Sequence, residues 1–165
     1  MSSFISNEEC VVVLLNRSAV ESSSVSNFLS ILDTLEASIN IAVHNFESYL
    51  LDCNQLSAII GAVKIASASG KRMHALVAGA YLEDQITVVV LQALAEGFDV
   101  YLLNDFIVSR QSHFVQTFHT RLMQAGAVPT TLRQLLYQCA TAESDRAKRS
   151  VLLDLIERYD RVPAS

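Results

Sequence analysis

A chain of 165 residues fits one domain and is long enough to bury a substantial core. Its hydrophobic fraction of 51% and charged fraction of 18% favour a sheet that is buried on both faces, a large subunit contact, or both. The net charge of -5 disfavours nonspecific binding to nucleic acid, and no apolar run approaches the roughly 20 residues that span a membrane.

Short apolar runs alternate with amphipathic stretches along the chain. The runs predict five strands, which are Cys10–Leu15, Ile39–Val43, Met73–Ala78, Asp99–Leu103 and Gly126–Val128. Apolar residues at helical spacing predict helices over about 23–37, from Asp52 or Asn54 to Gly70, over 85–96, after Ser112, after Thr130 or Thr131, and before Pro163. This alternation is typical of βαβ units. The predicted fold is therefore α/β, a doubly wound (Rossmann-like) open parallel sheet in a three-layer α/β/α domain over residues 1–165.

The ends of the chain and its cysteines favour an ordinary reducing compartment. Residues 1–10 contain Glu8 and Glu9 and no basic stretch followed by an apolar one, so we expect no secretory signal and a cytoplasmic location. Three cysteines, Cys10, Cys53 and Cys139, are an odd number without the spacing of metal ligands. We expect reduced thiols, no metal site and no cofactor.

Polar and aromatic residues at strand ends are the candidates for a binding site. In doubly wound folds, ligands bind beyond the carboxyl ends of the strands. That rule selects Asn16, His44, Phe46, the segment Gly79–Gln85 with Tyr81, Leu82, Glu83 and Gln85, and Asp105.

Each candidate also has an ordinary structural interpretation. Asn16 could orient a substrate or form an Asx turn, and His44 could be a general base or pack at a subunit contact. We expect Asp105 to order its loop by accepting backbone N–H groups, while Arg110 could pair with an anion or with Asp105. Gln85 could face a ligand, or it could fill the space and cap helix N–H groups.

Two strings carry a resemblance to a known family. They are ALVAGAYLEDQITVVVLQALAEGFDVYLLNDFIVSR, over residues 75–110, and LMQAGAVPTTLRQLLYQ, over residues 122–138. Together they resemble the isochorismatase-like (cysteine hydrolase) superfamily and are most similar to the eukaryotic isochorismatase domain-containing proteins. The resemblance implies an open parallel sheet, in agreement with the alternation of strands and helices, and family precedent favours a homo-oligomer. The helix predicted over 85–96, rich in Val and Ala, could pack at the contact.

The resemblance also implies a catalytic triad, which this sequence does not match. Hydrolytic members of the family use an Asp after the first strand, a Lys before the middle strand and a Cys at the start of the following helix. Counting twelve residues back from Gly97 puts the Cys position on Gln85, and the Asp position falls on Asn16. No lysine lies between Leu15 and Val63, and Lys64 falls inside a predicted helix.

Because the sequence assigns no catalytic residue, three functional hypotheses follow. The first is a catalytically inactive domain that acts through binding or oligomeric assembly. The second is a hydrolase of a small amide or ester with a rearranged site that uses His44, Glu83 or Cys53. The third is a sensor that keeps a pocket for a small molecule without the chemistry.

Overall fold

Five parallel strands form the centre of the molecule in the computed structural model, which describes residues 10–48, 51–66 and 74–162. The strands are β1 (Cys10–Leu15), β2 (Ala42–Phe46), β3 (His74–Ala80), β4 (Asp99–Val108) and β5 (Val128–Thr130). They pair in the order β2-β1-β3-β4-β5, with every neighbour parallel. Every residue of β1 and β3 is buried, which explains why the two strands are nearly continuous apolar runs.

Helices cover both faces of this sheet. They are α1 (Arg17–Glu21), α2 (Phe28–Thr34), α3 (Cys53–Ala66), α4 (Thr87–Ala95), α5 (Val115–Ala125), α6 (Leu132–Ala142) and α7 (Arg146–Arg161). One core lies between the sheet and α2, α6 and α7, and a second lies between the sheet and α3, α4 and α5. The predicted three-layer, doubly wound α/β fold is confirmed. Among the described residues, no helix has both the length and the apolar content needed to cross a bilayer.

Several predicted boundaries are correct. β1 spans the predicted residues, and the predicted helix caps at Asp52 and Thr131 are present. The Asp52 carboxylate accepts the N–H of Gln55 at 2.8 Å, and the Thr131 hydroxyl accepts the N–H of Gln134 at 3.0 Å. The predicted boundaries at Gly70, Met73 and Pro163 lie outside the described residues.

The second predicted strand was wrong by three residues. The helix before it continues through a π-helical turn at Leu35–Ile39, and Asn40, with φ 60°, ends that turn in the left-handed conformation. β2 therefore begins at Ala42 rather than at Ile39. As a result, His44 lies within the strand, and Phe46 is its last residue.

The fourth predicted strand was too short. The pairing of β3 with β4 shifts, so that Val77 lies opposite Leu102 but Gly79 lies opposite Ile107. The strand then continues to Val108, and Asp105 lies in the irregular part of the strand rather than at its end. The fifth strand also differs, because it runs to Thr130 and contains Pro129, which an edge strand tolerates.

Candidate functional site

A half-open cleft of about 340 Å³ lies where the carboxyl ends of β1, β2 and β3 meet. It is lined by Asn16, Ser18, Ala19, Glu47, Ser48, Tyr81, Gln85 and Arg110. Three of the predicted candidates, Asn16, Tyr81 and Gln85, are therefore neighbours here. This is the position at which doubly wound folds bind ligands.

Asn16 ties the ends of three strands together. It follows β1 in the left-handed conformation, with φ 55°, and its backbone N–H donates to the carbonyl of Phe46 at 2.7 Å. Its side-chain Nδ2 donates to the carbonyl of Ala80 at 2.6 Å, and its Oδ1 accepts the N–H of Ser48 at 2.8 Å. The side chain thus forms its hydrogen bonds with Ala80 and Ser48 and does not form an Asx turn. The residue is only 8% exposed.

Gln85 holds the same loop from the opposite side. It lies in a π-helical turn, Leu82–Ile86, that joins β3 to α4, and it is 4% exposed. Its Oε1 accepts the N–H of Tyr81 at 3.3 Å, and its Nε2 donates to the carbonyl of Ser48 at 2.9 Å. The N–H of Ser48 is bound by Asn16 and its carbonyl by Gln85, and we call these three residues the amide clamp.

Sequence reasoning missed Ser48 because it takes part through its backbone, and its side chain gives no signal of that role. A neighbouring contact fixes the same loop, since both carboxylate oxygens of Glu47 accept from Ser18. The N–H of Ser18 donates at 2.9 Å and its hydroxyl at 2.8 Å. The floor of the cleft is therefore closed by hydrogen bonds within the protein.

Arg110 forms one wall of the cleft. Its guanidinium lies 3.8 Å from the centre of the Tyr81 ring, a cation–π contact, and its Nε donates to the Asp84 carboxylate at 2.6 Å. The predicted alternative of a pair with Asp105 is wrong, because Arg110 pairs with Asp84 and the Asp105 carboxylate binds Leu132 and Tyr159.

Glu83 orders the segment that carries Arg110. Its carboxylate accepts the hydroxyl of Ser109, the N–H of Arg110 at 2.9 Å and the N–H of Gln111 at 3.4 Å. Burial raises the pKa of Glu83, but these hydrogen bonds outweigh burial and leave the pKa below its usual value. Glu83 is therefore ionised at neutral pH and holds no proton to donate as a general acid.

Besides Glu83, four predicted site residues do not line the cleft. Leu82 is buried in the core beneath α4, and Phe46 reaches Asn16 only through its backbone carbonyl. His44 is half-buried on β2 with its ring 6.5 Å from that of Phe46. The place of His44 follows from the later start of β2, which puts it in the middle of the strand.

Asp105 is the fourth, and it faces α6 and α7 instead. Its carboxylate accepts the N–H of Leu132 at 2.9 Å and the hydroxyl of Tyr159 at 2.5 Å. Burial of the Tyr159 side chain raises its pKa, and so does the hydrogen bond to the Asp105 carboxylate. Asp105 thus accepts a backbone N–H, as predicted, but that N–H belongs to the start of α6 and not to its own loop, away from the cleft.

None of the cysteines lines the cleft. Cys53 is exposed at the start of α3, in a groove that also contains Lys64 and Gln92, while Cys10 and Cys139 are buried. Burial, with the nearby carboxylate of Glu143, raises the pKa of Cys139 to about 12. Among the residues that the structure describes, no group of three His, Cys, Asp or Glu side chains could hold a metal ion.

Thiol labelling is expected to distinguish the three cysteines. With an aromatic disulfide at pH 8, the native protein should show one fast equivalent from Cys53, while Cys10 and Cys139 react only on unfolding, because the thiolate must be formed and accessible. A Cys53→Ser variant should lose the fast phase. Rapid labelling of either remaining thiol in the folded variant would contradict the buried positions of Cys10 and Cys139.

Comparison with known proteins supports the fold. No family model and no curated protein matches the sequence. Among solved structures, MAR1 ribonuclease from Caenorhabditis elegans has a TM-score of 0.74 at 14% identity, covering 98% of this chain and 95% of that one. YcaC from Pseudomonas aeruginosa has a TM-score of 0.73 at 15% identity, with 97% and 96% covered. The YcaC gene product from Escherichia coli has a TM-score of 0.70 at 19% identity, with 99% of each chain covered.

These neighbours belong to the isochorismatase-like (cysteine hydrolase) superfamily. The chain therefore has the isochorismatase-like fold, and the resemblance stated from the sequence is confirmed at the level of the fold.

Proposed function

We propose that this protein is a catalytically inactive isochorismatase-like domain that acts through binding or assembly of identical chains. The amide clamp is the observation that carries the proposal. In the alignment implied by the resemblance, Gln85 stands at the position of the nucleophilic cysteine and Asn16 at that of the aspartate. Both amides are buried and donate to backbone carbonyls inside the protein.

The chemistry of the cleft also favours an inert site. Nucleophilic hydrolysis needs a thiol, hydroxyl or similar group within reach of a base, with space for the substrate above it. An amide supplies neither the nucleophile nor the base. The Ser18 hydroxyl and the Glu47 carboxylate bind each other at the start of α1, where they hold the loop of Ser48. A small molecule bound in the remaining cleft stays a prediction.

Helices α3 and α4 support the assembly part of the proposal. Their fourteen and nine residues contain one charged side chain, Lys64, which pairs with Glu96 at 2.8 Å. Ile65 is 77% exposed and Val88 is 44% exposed on these helices. Depletion of charge with exposed apolar side chains is typical of the core of a protein interface. The E. coli neighbour is described as an octameric hydrolase of unknown specificity, which supports a homo-oligomer for this chain.

Light scattering on a sizing column tests the assembly. We expect the wild type to be larger than a monomer and Val88→Glu to shift it towards monomer, because a charge buried in an apolar contact lacks a partner. Leu153→Glu is the matched control, since Leu153 is 47% exposed on α7 in the opposite layer. A monomeric wild type, or equal dissociation by both variants, would count against assembly through α3 and α4.

Turnover assays test the loss of hydrolase activity. Small esters and amides are expected to be hydrolysed no faster with the wild type than with the Gln85→Ala and Cys53→Ser variants. Multiple turnovers by the wild type that Cys53→Ser abolishes would favour a hydrolase with a rearranged site. Acylation of one equivalent of protein without turnover would be labelling of a surface group, and it would agree with an inactive site.

A further inference from the structure

A separate pocket of about 320 Å³ lies between α2 and α7, in the helical layer opposite α3 and α4. It is lined by Asn27, Ser30, Ile31, Arg158, Arg161 and Val162. We propose that this pocket binds the phosphate group of a small phosphate monoester. This site is independent of the cleft and of the proposed assembly surface.

Both arginines line the pocket beside α2, and neither pairs with the acidic residues of its own helix. Asp154 and Glu157 each lie four residues before an arginine, the spacing that pairs charges on a helix. Among the described residues, however, neither Arg158 nor Arg161 has a carboxylate within 4.0 Å. Arg161 instead donates through Nε to the backbone carbonyl of Glu157 at 3.3 Å.

Arg158 is anchored across the helix contact. Its Nη2 donates to the hydroxyl of Ser30 at 3.0 Å, and that hydroxyl donates in turn to the carbonyl of Asn27 at 3.2 Å. One bond fixes the guanidinium in the pocket and leaves most of its five N–H donors for another acceptor. By contrast, the guanidinium of Arg17 donates two parallel hydrogen bonds to the Asp33 carboxylate, at 2.7 and 2.8 Å.

The chemistry of this group of residues selects the ligand class. Two guanidinium groups match the several oxygens and the double charge of a phosphate, which arginine binds through parallel N–H bonds. The rest of the lining is Asn27 and Ser30 with the apolar residues Ile31 and Val162. The two apolar residues suit a small organic group attached to the phosphate. The volume lies at the lower end of small-molecule sites, which span about 300–1,000 Å³.

Calorimetric titration with phenyl phosphate, and separately with inorganic phosphate, tests the site. We expect saturable binding of phenyl phosphate by the wild type and weaker binding of inorganic phosphate, which lacks the apolar group. Arg158→Gln and Arg161→Gln should each weaken phenyl phosphate binding about tenfold or more, because each removes a charged donor. Arg149→Gln, at the other end of α7 and outside the pocket, should leave it unchanged.

Two outcomes would overturn the proposal. One is the absence of saturable binding by a folded wild type. The other is a loss of binding in the Arg149→Gln control as large as in the two pocket variants, which would mean that phenyl phosphate is attracted to any positive charge on the protein. Denaturation midpoints of the variants should match the wild type, so that lost binding is not lost folding. Ser30→Ala, which keeps both charges, should weaken binding less than either arginine variant.

Discussion

Replacing Gly79 with alanine is expected to prevent stable folding. Gly79 lies in β3 at φ +109°, and a Cβ there would be 2.1 Å from the carbonyl oxygen of Leu15 and 2.8 Å from its backbone nitrogen. Both atoms are backbone atoms of β1, so relief requires the two central strands to separate. The expected cost exceeds about 4 kcal/mol, which is exceptional for one substitution and a large part of the roughly 5–15 kcal/mol that stabilises a domain. The yield of soluble protein and chemical denaturation measure the loss of stability in the Gly79→Ala variant.

The control for this substitution is Gly61→Ala. Gly61 lies within α3, and a Cβ there would meet no atom within 4 Å. Alanine should therefore stabilise the chain by about 0.5–1 kcal/mol through its better helix propensity. A Gly79→Ala protein with the stability of the wild type would contradict the close approach of β1 and β3.

This close approach is what builds the candidate site. Because β1 and β3 lie in contact at Leu15 and Gly79, the next residues of each strand, Asn16 and Ala80, come within hydrogen-bond distance. A larger residue at position 79 would move Asn16 away from Ala80 and open the amide clamp. The glycine therefore serves the site through the backbone, without contributing a functional group.

The sequence predicted the fold well because its signals are local. Buried parallel strands are continuous apolar runs, and the run Cys10–Leu15 is one of them. The start of β2 was misplaced although its signal is local, because Asn40 ends the preceding turn in the left-handed conformation that asparagine adopts more readily than most residues. The end of β4 depends on a distant segment, because the strand continues past Leu103 through its pairing with β3. That pairing has no signal in the residues of β4 alone.

The site was predictable only in part for the same reason. Asn16 and Gln85 were found because one follows a strand and the other falls at a position that a family resemblance defines. Asp105 was expected beside them, but the longer β4 carries it to α6. Ser48 joins the clamp through its peptide groups, which every residue possesses, so only the folded chain identifies it.

Asn16→Ala is expected to be the most damaging substitution at the clamp itself. It removes two hydrogen bonds, strands the buried carbonyl of Ala80, and places alanine at φ 55°. The combined cost should be about 3 kcal/mol, from roughly 1 kcal/mol per hydrogen bond, or more where a partner is left unsatisfied, and about 1 kcal/mol for the left-handed backbone. Denaturation at neutral pH measures the loss.

Asn40→Ala isolates the backbone part of that cost. Asn40 has the same left-handed conformation, with φ 60°, but it is exposed. Its replacement should cost only about 1 kcal/mol, so the difference between the two variants reports on the clamp. Equal losses at both positions would mean that the hydrogen bonds of Asn16 contribute nothing to stability.

Asn16→Asp separates the donor of Asn16 from its acceptor. The carboxylate can still accept the N–H of Ser48, but it cannot donate to Ala80 and instead sets a negative charge against that carbonyl. We expect a loss at neutral pH at least as large as that of Asn16→Ala, and wild-type stability would contradict the assigned donor. The position that the resemblance assigns to a catalytic aspartate is thus built here for an amide. A carboxylate at that position could still hold the N–H of Ser48, but it would break the bond to Ala80 that joins β1 to β3.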